Sequence, residues 1–336
     1  MIIDSHAHLV APDALYAFRT MLLANGGFRL SPLKIPDDQL EVAAANNVAI
    51  MDSVGTDVQV ISPRPFQLAS SMQPTRLVDI WVKANNDAIA QTISHYPRRF
   101  AGMAGLPLTP DAPVSVAFSE IDRVVSMGFI GVLLNPDLTE GRGLTPSLGS
   151  DYWYPLWEKL IDADLPILIH SSGCFSERET YSEHFITEES IAILSMLREG
   201  VFDRYPGLRV MVSHGGGSVP YQMGRWQAEY LDPHLGGNPD AEPFESQLRK
   251  FYFDTVLHYP LALELLFRTV GSDRILFGTE KPGSGSGTNP KTGKAFDELR
   301  PVIEGFDFLT QADRDAVFLN NAKKFFPRLA ATGVLA

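Results

Sequence analysis

Short runs rich in Val, Ile, Leu and Phe alternate along the chain with longer segments of helical periodicity. Eight such runs fall at residues 2–6, 57–62, 100–106, 130–134, 166–170, 208–214, 251–254 and 274–278. Runs of this kind are the signature of parallel strands buried on both faces. The segments between them, for example 74–96, 115–127, 154–163, 188–199 and 260–270, read as amphipathic helices. Strand followed by helix, repeated, predicts βα units.

A doubly wound sheet and a closed barrel share this alternation, so the polar residues decide between them. His6 and His8, Ser62 with Arg64, Asn135, His170, His214, Asp254 and Glu280 all sit at or just past the carboxyl end of a predicted strand. In a closed barrel those ends converge on one mouth, where the active site is built. The expected fold is therefore α/β, a (β/α)8 TIM-type barrel, with the whole of 1–336 as a single domain. Three stretches exceed a minimal barrel, at about 11–47, 171–188 and 232–247. Long loops at a barrel mouth commonly carry lids and specificity elements. The segments 297–304 and 311–326 read as extra C-terminal helices packed outside the barrel.

Composition adds a few exclusions. The 336 residues are 45% hydrophobic and 20% charged, enough to bury a sizeable core. Forty acidic against 28 basic residues give a formal charge of −12, which argues against nucleic acid or an anionic membrane surface as partner. An anionic small molecule would then depend on a local Arg or Lys. One cysteine, Cys174, excludes an intramolecular disulfide and points to a reducing, cytoplasmic setting. The N-terminal MIIDSHAHLV lacks the marks of an export signal, and no stretch reaches the ~18 apolar residues of a membrane span. Four Trp and 20 Phe supply material for a homo-oligomeric interface as well as for a core.

His6 and His8, one residue apart at the end of a strand, point to the same side and can reach a common ion. Imidazole is a favoured ligand of zinc and related metals. His170 closes PILIH and His214 closes VMVSH, each a hydrophobic strand stopping at an imidazole before a Ser/Gly-rich turn. Either alone could simply cap its strand; together with His-x-His they suggest one divalent metal site, zinc expected and manganese the alternative. Glu280, in ILFGTE, could be a ligand, a general base or both. Arg64 in SPRP is the first candidate for a substrate anion clamp. Lys281, Asn135 and His184 are further substrate-binding candidates, and Arg225 a structural one. HGGG at 214–217 has no G-x-S-x-G elbow to accompany it, which argues against a serine hydrolase. The glycines of 283–287 lack the G-x-G-x-x-G spacing of a nucleotide loop.

In this order, His-x-His on the first strand, His on the fifth, His on the sixth and an acid on the eighth, the residues resemble the amidohydrolase superfamily. MIIDSHAH, SPRP, GFIGVLLNPD, WYPLWEKL, HGGGSVPYQMGR, FYFDTVLHY, ILFGTE and NPKTGKAFD carry a closer resemblance to its amidohydrolase-related branch. That branch includes aminocarboxymuconate-semialdehyde decarboxylase and several lignin-pathway enzymes. The resemblance implies His6, His8, His170 and Glu280 as metal ligands, with His214 catalytic or supporting. It implies a metal-dependent lyase of a small unsaturated or aromatic-derived carboxylic acid, foremost a hydratase of a 4-oxalomesaconate-like compound. Non-oxidative decarboxylation, or hydrolysis of an ester, lactone or amide, are the alternatives. Glu280 matches the hydratase-like subgroup, where most of the superfamily has Asp. After that acid, however, the hydratase pattern carries an arginine, and this chain reads KPGSGSG at 281–287. Lys281 could replace the charge but not the bidentate fork. A non-catalytic scaffold would be marked by lost ligand residues, and none of the set is missing.

Overall fold

The computed structural model describes residues 1–26, 28 and 35–336. Seven parallel strands form one sheet in sequential order: β1 (Ile3–His8), β2 (Val58–Ser62), β3 (Phe100–Gly105), β4 (Gly131–Leu134), β5 (Ile167–Ile169), β6 (Val210–Val212) and β7 (Tyr252–Phe253). The eighth predicted run closes the ring through single bonds rather than a continuous ladder. Leu276 N–H donates to the Phe253 carbonyl at 2.8 Å, and Ser5 N–H donates to the Phe277 carbonyl at 2.7 Å. A Cβ on Gly278 would lie 2.8 Å from the His6 Cβ, so only glycine lets this segment run so close to β1. The result is the TIM-type barrel expected from the chain pattern.

Helices cover the outside of the ring, among them α1 (Asp13–Asn25), α2 (Asp37–Val54), α3 (Arg76–His95), α4 (Phe118–Ser126), α5 (Tyr154–Asp162) and α6 (Tyr181–Arg198). The insertion predicted at 11–47 contains α1 and much of α2; its residues 27 and 29–34 lie outside the described residues. Helix α6 starts at Tyr181, well before the predicted 188, because Thr180 and Glu183 form a capping box. Glu183 N–H donates to Thr180 Oγ1 at 3.4 Å and Thr180 N–H to the Glu183 carboxylate at 2.6 Å. Much of the expected loop 171–188 is thus the first two turns of a helix.

Inside the ring, Ile3, Val58, Val60, Met103, Leu133, Leu168, Met211 and Leu276 pack together, while alternate residues such as Ala7, Ile61, Ala104 and Val132 face the helices. The C-terminal segment corrects an expectation. Phe325, Phe326 and Leu329 are fully buried in the inner cluster, so the chain end packs onto the barrel interior instead of lying wholly outside it. These apolar side chains are too large to leave in water, and burying each contributes about 1.5–3 kcal/mol.

One irregularity positions the chemistry. The register of β1 against β2 shifts between Asp4 and Ala7. Ile3 faces the interior, and strict alternation would then turn His6 and His8 outward. The extra residue resets the phase, so Ala7 and Leu9 join the outer core while both imidazoles enter the barrel mouth.

Candidate active site

The four imidazoles of His6, His8, His170 and His214 converge on Glu280. Its Oε1 lies 3.0 Å from His170 Nε2, 3.3 Å from His8 Nε2 and 3.5 Å from Nε2 of both His6 and His214. Each ring is oriented from behind through Nδ1. His6 Nδ1 meets Asp254 Oδ2 at 2.5 Å, His8 Nδ1 meets Ser62 Oγ at 2.9 Å, His170 Nδ1 meets the Ser171 carbonyl at 2.7 Å, and His214 Nδ1 meets the Glu189 carboxylate at 2.8 Å. Partners of this kind fix ring orientation at metal centres.

Among the described residues, the ligand atoms of His6, His8, His170 and Glu280 lie within 4.8 Å of one another. His6 Nε2 is buried without a hydrogen-bond partner, an orphan lone pair or proton aimed into the cluster. Burial pushes His8 down to about 3 and His170 down to about 4, which keeps both rings in the neutral form that binds metal. At His214 burial works the same way, but the Glu189 and Glu280 carboxylates outweigh it and hold the ring well above its ordinary value. Burial likewise opposes ionisation of Glu280, yet hydrogen bonds from His170, His214 and His8 keep it well below the usual carboxylate range. The set fits a divalent cation: three imidazoles and one carboxylate, with His214 beside them, its Nδ1 against the Glu189 carboxylate.

The backbone around His214 explains HGGG. His214 has φ 51°, and Gly215, Gly216 and Gly217 have φ 62°, 84° and 62°. A Cβ on Gly216 would press to 2.6 Å from the Phe253 ring, so this left-handed run is a packing solution that delivers His214 to the mouth.

Over the cluster lies a pocket of about 170 Å³ lined by His8, Arg64, Phe66, Tyr181, Phe185 and Glu280. A larger groove of about 380 Å³, between Leu194, Trp226 and Phe244, is remote from these groups and carries no comparable set. Phe185 stacks on His214 with centroids 5.5 Å apart and meets His170 edge-on at 4.9 Å. Arg64 donates to the Pro282 carbonyl at 3.1 Å and forms no ion pair among the described residues.

The other substrate-binding candidates are placed elsewhere. Lys281 Nζ is 2.7 Å from Asp297, which commits its charge. Asn135 is buried and donates to the Asp137 carbonyl and Ser172 Oγ, holding the loop after β4. His184 is fully buried on α6 and does not line the pocket. Sequence reading did not single out Glu189, Tyr181 or Phe185. The Thr180–Glu183 capping box was the available signal, since it sets the phase of α6 and so turns these residues toward the mouth.

The amidohydrolase family model matches residues 3–328. The chain is 33% identical over 340 residues to 2-keto-4-carboxy-3-hexenedioate hydratase of Sphingobium sp. strain NBRC 103272 / SYK-6, covering 98% of this chain and 97% of that one. It is 25% identical over 303 residues to the gamma-resorcylate decarboxylase of Polaromonas sp., covering 83% and 86%. Among solved structures, 4-oxalomesaconate hydratase from Rhodopseudomonas palustris superposes with a TM-score of 0.87 at 29% identity, covering 98% of this chain and 97% of that one.

Proposed function

The chain belongs to the amidohydrolase family, and from that premise we propose that it is a metal-dependent hydratase of a small unsaturated polycarboxylate of the 4-oxalomesaconate or carboxy-hexenedioate type. The convergence of His6, His8, His170 and Glu280, each imidazole anchored through Nδ1, carries the reading. These four would hold the cation, zinc by the preference of an imidazole-rich set and manganese otherwise. When bound, it supplies Lewis acidity that makes water a nucleophile near neutral pH.

The protein groups divide the remaining work. Arg64 pairs with a substrate carboxylate through its planar fork. Glu280 accepts a proton as the water oxygen bonds to one alkene carbon and the double-bond electrons move into the conjugated carbonyl. The charged His214, backed by Glu189, then donates a proton to the neighbouring carbon, which completes addition of H and OH. Tyr181, Phe66 and Phe185 wall the pocket and limit bulk water. Non-oxidative decarboxylation is the second reading, supported by the decarboxylase relatives and by the same charged imidazole, which could protonate the carbon that loses carbon dioxide.

Turnover of unsaturated tricarboxylates and hydroxybenzoates by metal-loaded protein in ¹⁸O-labelled water separates the two. Hydration gives product with one labelled oxygen and no carbon dioxide. Carbon dioxide release without label would overturn the hydratase assignment in favour of decarboxylation. Arg64→Lys is expected to raise KM about 10–100-fold, the equivalent of one lost charged hydrogen bond, with a smaller change in kcat; steady-state kinetics on the identified substrate checks it.

We also place residues 1–336 in one catalytic domain working in a reducing compartment such as the cytoplasm, a reading supported by the single free cysteine. No helix among the described residues is long and apolar enough to cross a membrane.

A further inference from the structure

A second group of ligating side chains lies beside the mouth. Among the described residues, Cys174, Glu179 and His184 bring ligand atoms within 4.8 Å of one another, and so do Asp137, His184 and Glu188. His184 belongs to both triplets. It is fully buried, and among the described residues neither ring nitrogen has a hydrogen-bond partner. Its Nδ1 is 3.4 Å from Glu179 Oε2, but the alignment is not that of a hydrogen bond, and Glu179 Oε2 is itself buried without a partner. A buried imidazole with both nitrogens idle is rare in folded proteins and calls for a ligand.

We propose that Cys174, Glu179 and His184 form a second divalent-metal site, distinct from the catalytic cluster and suited to a thiophilic cation such as zinc. Thiolate, imidazole and carboxylate together match zinc's donor preferences. Glu188, four residues beyond His184 on the same face of α6, adds negative charge beside the site. Asp137 is the less available donor, since Thr139, Thr145 and the Gly141 N–H already occupy its oxygens.

Charge favours the same conclusion. No Lys or Arg among the described residues pairs with Glu179, Glu188 or Asp137. Burial, with Asp137 and Glu179 nearby, pushes Glu188 up to about 7, and burial with the same acids raises the Cys174 thiol. A cation would relieve this crowding and deprotonate the thiol. It would also tie the loop after β5 to the start of α6. Tyr181 and Phe185 sit on that turn, so the brace would set the wall of the catalytic pocket.

Cobalt(II) titration of metal-free protein tests the site, because thiolate coordination gives a near-ultraviolet charge-transfer band that the cysteine-free catalytic cluster cannot produce. Wild type should take up two equivalents and show the band. His6→Ala/His8→Ala protein should keep the band with one equivalent, and Cys174→Ala should lose the band while keeping one equivalent. His184→Gln and Glu179→Gln should each weaken the band-forming site at least about tenfold, since even supporting changes around a metal cost ~10–100-fold. If one of these two does not fold, the other decides. Uptake of a single equivalent by wild type, absence of the band, or unchanged affinity in a folded His184→Gln or Glu179→Gln protein would overturn the second site.

Discussion

Purified His6→Ala/His8→Ala protein is expected to retain less than about a tenth of the catalytic metal and to lose turnover by about 10⁴-fold or more. The magnitude follows from the several kcal/mol of charge stabilisation that a catalytic cation supplies, at 1.36 kcal/mol per factor of ten. Both rings enter the mouth from β1, both present Nε2 to the cluster, and no neighbouring imidazole can substitute for two lost donors. Asp254→Asn makes a graded companion. It keeps the shape behind His6 but removes the carboxylate 2.5 Å from Nδ1, and should cost about 10–100-fold in metal affinity. The barrel should survive the double change, because the inner apolar cluster of Ile3, Met103, Met211, Phe325 and Phe326 does not include either histidine. Elemental analysis and far-ultraviolet circular dichroism on the same preparations check both halves. Undiminished catalytic metal in a folded double variant would rule out the proposed ligand set.

Much of this centre was legible in the chain because barrel topology turns strand ends into neighbours. His6, His8, His170, His214 and Glu280 are scattered over 275 positions of sequence, yet each terminates a hydrophobic run, and a closed ring leaves those termini one place to meet. The bulge on β1 was not legible. Ile3 and His6 lie on opposite sides of any regular strand, and apolar patterning alone does not say where a register shift falls. Nor did a positive charge at residue 281 reveal its partner. Asp297 is 16 residues away across an irregular loop, and only the folded path of 283–297 brings it to Lys281. In the sequence His184 is a substrate-binding candidate because it falls in the 171–188 insertion at the mouth. The capping box at Thr180 makes that stretch helical and turns the ring into the protein, away from the pocket.

Replacing His214 should separate catalysis from metal retention. His214→Asn is expected to lower kcat about 10²–10⁴-fold, the usual contribution of a positioned acid–base group, while the catalytic metal content stays at the wild-type level. Asn is the informative substitute because residue 214 has φ 51°, a conformation that Asn tolerates far better than most residues. The backbone that leads into Gly215–Gly217 is thereby preserved. Glu189→Gln should move activity in the same direction by a smaller amount. The amide still reaches Nδ1 at the position where the carboxylate now sits at 2.8 Å, but it no longer favours the charged ring. The two changes should be far from additive, since both act through one proton. Metal analysis beside kcat distinguishes the outcomes. Loss of metal in folded His214→Asn would make this imidazole a ligand, and unchanged kcat in both variants would remove it from the proton path. In the second case Glu280 would be left as the group that both takes the proton from water and returns one to carbon.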